Sequence, residues 1–334
     1  MNKLTIFLLL VLSSCTFEKE IKPVKLFGEA QGTYYSVIYY DSLQRDFQAQ
    51  IDSLLNAFDL SVSLWVPNSI LSHVNNNKEV ILDKYFIDNF NLSMRVAEET
   101  DGAFDPTVGA LVRAWGFGFD ASRKVDDHIV DSILEFTGYR KVRIESKKLI
   151  REDRRITIDF NAIAQGYSVD LVGGFLESKG VGNYLVDIGG EVKAKGTKPD
   201  GSLWRVGIEK PAKHKNDERE LKEVIALKNK SVATSGSYRK FYEKDGVRYS
   251  HTIDPKTGYP VRHSLLSVSV IADNTALADA YATSFMVLGL DKSKKFLAAH
   301  PELDAFFIYT DSKGNYQTFA TEGFKKYVME EYQN

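Results

Sequence analysis

Asp279 and Thr283 stand four residues apart in the run Ala278-Asp279-Ala280-Tyr281-Ala282-Thr283. On a helix that spacing puts a carboxylate and a hydroxyl on one face. Such a pair of hard oxygens suits Mg²⁺ and suits zinc poorly. The same residues also fit an acid at a helix N-terminus followed by a Thr bonded back to its own helix. Just upstream, Thr234-Ser235-Gly236-Ser237-Tyr238 precedes His251-Thr252-Ile253-Asp254-Pro255-Lys256-Thr257-Gly258. An imidazole ordinarily has its pKa near neutral pH, so His251 suits a base, although a hydrogen-bonded core histidine fits too.

Three further clusters carry unusual residues. Asp101-Gly102-Ala103-Phe104-Asp105-Pro106-Thr107-Val108-Gly109 runs on to Trp115-Gly116-Phe117-Gly118. Glycines and a proline beside aromatics give close backbone approach and flat apolar faces, as a bound ring needs, or simply an aromatic-lined turn. Asp159-Phe160-Asn161-Ala162-Ile163-Ala164-Gln165-Gly166-Tyr167 reads as a strand–helix junction, where free N–H groups favour phosphate. Asp187-Ile188-Gly189-Gly190-Glu191 again pairs glycines after a strand. None of these matches a Walker A loop or GxGxxG.

Periodicity predicts the elements that must position these residues. Strands are expected at Gly32–Tyr40, Lys141–Ile144, Arg155–Phe160, Tyr184–Ile188, Arg205–Glu209 and Leu266–Ile271. Helices are expected at Phe47–Phe58, Lys84–Thr100, Gln165–Lys179 and Leu277–Leu288, with a charged surface loop at His214–Lys222. Strands and helices interleave without a regular βαβ repeat in one continuous unit of two lobes, a pattern that agrees with a mixed α/β or α+β architecture without by itself requiring it. The 334 residues allow an ordinary core. Lys+Arg 43 against Asp+Glu 45 leaves a net charge of -2, which gives no reason to expect nucleic acid. Aromatics reach 12%, enough for a stacking site or for a large core.

The N-terminus reads as an address. Lys3 precedes a mainly apolar run from Leu4 to Leu12, too short to span a bilayer, then Ser13, Ser14 and Cys15. Residues 1–14 are therefore expected to be a signal peptide, 15–25 a tether and 26–334 the working domain. Leu12-Ser13-Ser14-Cys15 resembles a bacterial lipobox, which makes Cys15 the lipidation site. It implies a membrane-anchored lipoprotein on the periplasmic side of the envelope. Cys15 is the sole cysteine, so a mature chain acylated there offers no thiol nucleophile and no disulfide.

In order along the chain, the clusters resemble the ApbE family, the FAD:protein FMN transferases. The resemblance rests on Gly32-Thr33, Ala103–Gly109, Trp115–Gly118, Asp159–Tyr167, Val186–Gly190, Ser235–Tyr238, His251–Gly258 and Ala278–Thr283. It implies an ApbE-like two-lobed fold and Mg²⁺-dependent transfer of FMN from FAD to a Thr or Ser hydroxyl of a partner flavoprotein, with AMP leaving. By analogy Asp279, Thr283 and the Ala162 carbonyl hold the metal. Gln31, Trp65, Ala103, Phe104, Asp105, Asp159, Gln165 and Ile253 line the FAD pocket. His251 becomes the candidate base, assisted by Asp254.

This chain departs from the family pattern at several pocket positions. Gln31 stands where Met is common, Gln165 where Lys or Glu is frequent, Trp65 where Tyr is common, and Ser237 where an acid is usual. No proposed metal ligand is lost. A Mg²⁺-dependent FAD pyrophosphatase would use the same groups with water as acceptor. A flavin-binding lipoprotein without turnover would need neither metal nor base.

Overall fold

The computed structural model describes residues 21–117, 125–211, 220–236, 241–244, 247–250 and 252–331. It opens on a hairpin of β1 (Pro23–Ala30) and β2 (Thr33–Tyr40). The joining residues Gln31 and Gly32 have φ of 55° and 71°. Two left-handed residues make the turn whose twist matches the flanking strands. β1 already takes in Pro23, Val24 and Lys25, so the sheet begins inside the stretch read as tether.

Five helices follow: α1 (Gln48–Val62), α2 (Ile70–Asn75), α3 (Lys84–Glu99), α4 (Gly109–Ala114) and α5 (Asp127–Leu134). The small hairpin β3 (Val142–Glu145) and β4 (Lys148–Arg151) leads into α6 (Ala164–Ser178). Next come β5 (Tyr184–Ile188), β6 (Glu191–Lys195), β7 (Trp204–Glu209), β8 (Leu221–Leu227), β9 (Lys230–Gly236), β10 (Phe241–Lys244), β11 (Val247–Ser250) and β12 (Leu265–Ala272). The chain closes with α7 (Thr275–Leu288), α8 (Leu290–Ala299), β13 (Asp304–Thr310), β14 (Tyr316–Ala320), α9 (Glu322–Lys325) and β15 (Val328–Glu331).

Eight strands form one sheet in the order β1-β2-β5-β6-β9-β12-β13-β14, antiparallel throughout. Side chains alternate across it, so each strand feeds two cores. On β13, Ala305 and Phe307 join the helix-side core while Phe306 and Ile308 join the opposite one. β2 does the same: Tyr35, Val37 and Tyr39 face the helices, whereas Ile38 and Tyr40 pack toward Trp204. The second face is covered by a three-stranded sheet, β15-β8-β7. Helices on one face of an antiparallel sheet define an α+β architecture, as expected. A smaller lobe has its own core of Leu111, Trp115, Val130 and Ile253.

Two expectations fail. Arg155–Phe160 is not a strand, because the side-chain amide of Asn75 bonds both the N–H and the carbonyl of Ile158, each at 2.8 Å. Asp159 N–H donates to the Pro106 carbonyl at 2.7 Å. A side chain and a loop have taken the place of a neighbouring strand. Second, Leu221 and Lys222 start β8 rather than end a loop, while residues 212–219 lie outside the described residues. The aromatic surplus goes mostly inward: Tyr35, Tyr39, Tyr184, Tyr281, Phe285 and Trp204 are among the fully buried side chains.

Candidate active site

α7 sets the site. It is apolar nearly all round and buried on most sides, between α6 and strands β9 and β12. Its N-cap is Asn274, whose side chain accepts from Leu277 N–H at 2.9 Å. Asp170 of α6 then fixes its first turn, accepting from Thr275 N–H at 3.1 Å and Ala276 N–H at 2.9 Å. Lys193 of β6 neutralises Asp170 at 2.8 Å. Gly166 permits the close crossing, since a Cβ there would lie 2.5 Å from the Thr275 carbonyl oxygen.

Because Asn274 is the cap, Asp279 is not a helix N-terminal acid. It lies one turn further in, 8% exposed, and its Oδ2 accepts from Gly166 N–H at 3.1 Å. In a continuing helix that N–H would go to the Ala162 carbonyl four residues back. Here it does not, and the Ala162 carbonyl accepts no hydrogen bond from the described residues. Thr283 also lacks the back-bond that would occupy its hydroxyl. Its neighbour Ser284 does have one, to the Ala280 carbonyl at 2.7 Å. A buried carboxylate, an open carbonyl and an open hydroxyl thus belong to the junction of α6 and α7.

Carboxyl groups there are harder to ionise than usual. Burial pushes the Asp279 carboxyl up to about 7, against the opposing Gly166 N–H. Glu191, at the start of β6, is held well above the carboxylate range by burial first and then by the Asp279 charge. Gln165 is linked to the same group, donating to the Ile188 carbonyl at 2.8 Å and to Glu191. Ser168 bridges the Gln165 carbonyl at 2.7 Å and the Gln31 side chain at 3.2 Å. Gln31 Nε2 leans toward Asp59 of α1 without closing normal hydrogen-bond geometry, and burial raises the Asp59 carboxyl. Gln31, Gln165 and Asp279 are therefore brought together from three distant segments.

Among the described residues, no three His, Cys, Asp or Glu side chains form a ready metal cluster. A mixed set of carboxylate, hydroxyl and backbone carbonyl is nevertheless what Mg²⁺ accepts, since it keeps waters and takes substrate phosphates as further ligands. Buried Asp279 and half-buried Glu191, both reluctant to ionise, would also be favoured by a cation. The residues present fit Mg²⁺.

The second group of candidates is organised differently. Asp105 is 7% exposed and both its oxygens are engaged: Oδ1 accepts from Thr107 N–H and hydroxyl at 2.7 and 2.6 Å, and Oδ2 from Tyr139 N–H at 2.8 Å. Ala103 and Phe104 are buried beside it, so this loop offers backbone to a ligand rather than side chains. Asp159 packs against the same loop at Gly109, where a Cβ would approach its own Cβ to 3.4 Å. Burial raises its carboxyl, with Asn161 N–H and the Arg113 charge opposing. Asp254 holds a turn, accepting from Lys256 N–H at 2.9 Å, and Ile253 is packed into the small lobe. Trp115 Nε1 donates to the Gly258 carbonyl at 2.7 Å, and Lys256 pairs with Asp101, which ties these loops together. Trp65 stands on the α1–α2 connection, 60% exposed. His251 and Cys15 lie outside the described residues.

The ApbE family profile matches residues 31–307. Those limits enclose every motif from Gly32 to Thr283. An FAD:protein FMN transferase of Vibrio cholerae is 34% identical over 329 residues, 96% of each chain. This chain belongs to the ApbE family. Another relative so named, from Escherichia coli K12, is 31% identical over 316 residues, 91% of this chain and 89% of that one. Among solved structures, the flavin transferase ApbE of Vibrio cholerae superposes with a TM-score of 0.81 at 33% identity, over 92% of this chain and 99% of that one. The apo flavinyl transferase ApbE of Pseudomonas stutzeri gives 0.83 at 32%, over 93% and 98%.

Within this ApbE-family site, the sequence reading named Glu191 without giving it a role and missed Ser168 and Asp59. Glu191 had a signal, because it directly follows the Gly189-Gly190 pair at a strand start. Ser168 and Asp59 had none beyond lying on helix faces, and only the fold brings them to Gln31. A separate open groove between β1 and α1, lined by Phe27, Gly28, Gln48 and Asp52, contains none of the candidate residues.

Proposed function

We propose that this chain is an FAD:protein FMN transferase that uses Mg²⁺ and releases AMP. One observation carries the chemistry: Gly166 N–H, in the first turn of α6, bonds Asp279, and among the described residues neither the Ala162 carbonyl nor the Thr283 hydroxyl has a hydrogen-bond partner. Three oxygen donors are thereby left for a hard cation at the mouth of α6. The kinship with relatives named for this activity, over nearly the whole chain, supports the same reading.

Bound there, Mg²⁺ would neutralise pyrophosphate charge and orient the phosphorus for in-line attack. Asp279, Thr283 and the Ala162 carbonyl would hold it. The residues around it position FAD: Gln31, Gln165 and Asp159 by side-chain polarity, Ala103, Phe104 and Asp105 through their shared turn, and Trp65 and Ile253 by apolar surface. The acceptor Thr or Ser oxygen forms a bond to the FMN phosphorus as the bond from that phosphorus to the bridging oxygen breaks. AMP leaves with the electron pair. The hydroxyl proton passes to His251, which follows β11 and immediately precedes the turn that Asp254 organises. Acylation at Cys15 would keep this chemistry on the periplasmic face of an envelope membrane, where acceptor flavoproteins would meet it.

The test follows FAD turnover with Mg²⁺, with and without an acceptor protein, measuring AMP and acceptor mass together. AMP release matched by an acceptor gain of one FMN, both lost in Asp279→Ala, is the expected result. Equal AMP and free FMN without labelling would make the chain a pyrophosphatase. Tight FAD binding without turnover would leave a binding protein.

A further inference from the structure

The side-chain amide of Gln165 is tied on one side only. Its Nε2 donates to the Ile188 carbonyl at 2.8 Å and to a Glu191 carboxylate oxygen. A backbone carbonyl can only accept, so Ile188 decides which end of the amide is nitrogen. Both Nε2 hydrogens are then engaged. Oε1 accepts no hydrogen bond from the described residues and is not among the buried unpartnered atoms, so it is open to a ligand.

The β5–β6 turn is built around this arrangement. Gly189 has φ +62°, and a Cβ there would fall 2.2 Å from Gln165 Nε2. Gly190, also at positive φ, lets the chain return so that Glu191 reaches the amide from the next strand. Glu191 is half-buried, close enough to Asp279 to feel its charge, and Gln165 is the one side chain that hydrogen-bonds it among the described contacts.

We propose that Glu191 is a positioning residue that presents Gln165 Oε1 as a hydrogen-bond acceptor. The flavin nucleotide must then bring a donor to this point, a ring N–H or a sugar hydroxyl, and not a phosphate oxygen. Phosphate oxygens only accept at neutral pH, and two facing acceptors repel. This inference rests on the reading of the site as one for FAD, and it adds which end of Gln165 reads the nucleotide and what holds it there.

A double-mutant cycle on the full chain tests it, with FAD binding followed by quenching of flavin fluorescence in EDTA. Gln165→Ala and Glu191→Ala should each weaken FAD by about 3- to 10-fold, the loss of one hydrogen bond or its anchor. The double variant should bind no worse than Gln165→Ala alone, because Glu191 acts through Gln165. Glu191→Gln keeps an acceptor oxygen and should recover most of the binding. The same losses for FMN would put the donor on the flavin half, and losses confined to FAD would put it on the adenosine half. Additive losses, an unchanged affinity in Glu191→Ala, or equal damage in Glu191→Gln would overturn the proposal. Failure of the unmodified chain to bind FAD would instead overturn the flavin reading itself.

Discussion

The two acids Asp105 and Asp279 are almost equally buried, at 7% and 8% exposure, yet they are provided for in opposite ways. Asp105 receives three hydrogen bonds, two from Thr107 and one from Tyr139, and holds a turn closed. Asp279 receives one, from Gly166, and stands near a second acid with no described cationic side chain bonded to it. A buried carboxylate with its oxygens filled is a fastener. One left short of donors, inside α7 and facing the first turn of α6, is free to take a ligand. Under the proposed function, the difference separates residues that shape a loop of the pocket from residues left open to bind.

The largest effect should come from Asp279. Asp279→Ala should lower FAD turnover by about 10³-fold, as loss of several kcal/mol of metal-held charge stabilisation requires. The metal-free protein should nevertheless become more stable. The Asp279 carboxyl is raised from 3.8 to about 7, so its favourable share of stability is full below about pH 3.8 and is lost as pH climbs through about 7. Asp279→Asn, melted in EDTA at pH 8, should therefore outlast the unmodified chain by about 5 °C, with the gap closing toward pH 4.

Asp105→Ala should show the reverse signature. Three donors lose their acceptor, so stability should fall by about 2–4 kcal/mol in denaturant melts, while turnover per folded molecule stays within about threefold. A folded Asp105 variant with turnover as low as Asp279→Ala would erase the contrast between the two acids.

Gly189→Ala should fall between them. A Cβ at φ +62° is strained and collides with Gln165. A loss of about 1–3 kcal/mol in stability together with weaker FAD binding is expected, read by melts and fluorescence quenching. The smallest contrast lies on α7. Thr283→Val removes an open hydroxyl and should weaken Mg²⁺ by about tenfold at nearly constant stability. Ser284→Ala removes a hydroxyl already bonded to its own helix and should leave Mg²⁺ affinity unchanged.

Much of the fold was legible because period-2 strands and apolar helices announce themselves. Tyr184–Ile188 has the predicted limits, and Lys84–Glu99 ends one residue before the predicted Thr100. Arg155–Phe160 looked like a strand because its apolar content is strand-like, and no local pattern reveals that Asn75 will replace the partner strand. The pairing of Asp279 and Thr283 could be read from helical spacing. That Thr283 has no hydrogen-bond partner among the described residues while Ser284 has one could not, since both have a carbonyl four residues back. Gly166 sits in a recognisable motif, but its choice of Asp279 over Ala162 depends on α7 crossing 113 residues later in the chain.

The most direct test of the central claim is Mn²⁺ binding, standing in for Mg²⁺, followed by electron paramagnetic resonance at pH 5.5, 7 and 8.5. A ligand carboxyl that titrates near 7 must lose its proton to the metal. Affinity should rise by up to about tenfold per pH unit below about 7, level off above it, and vanish in Asp279→Asn. A pH-independent affinity, or one unchanged in Asp279→Asn, would contradict the assignment of the α6–α7 junction as the cation site.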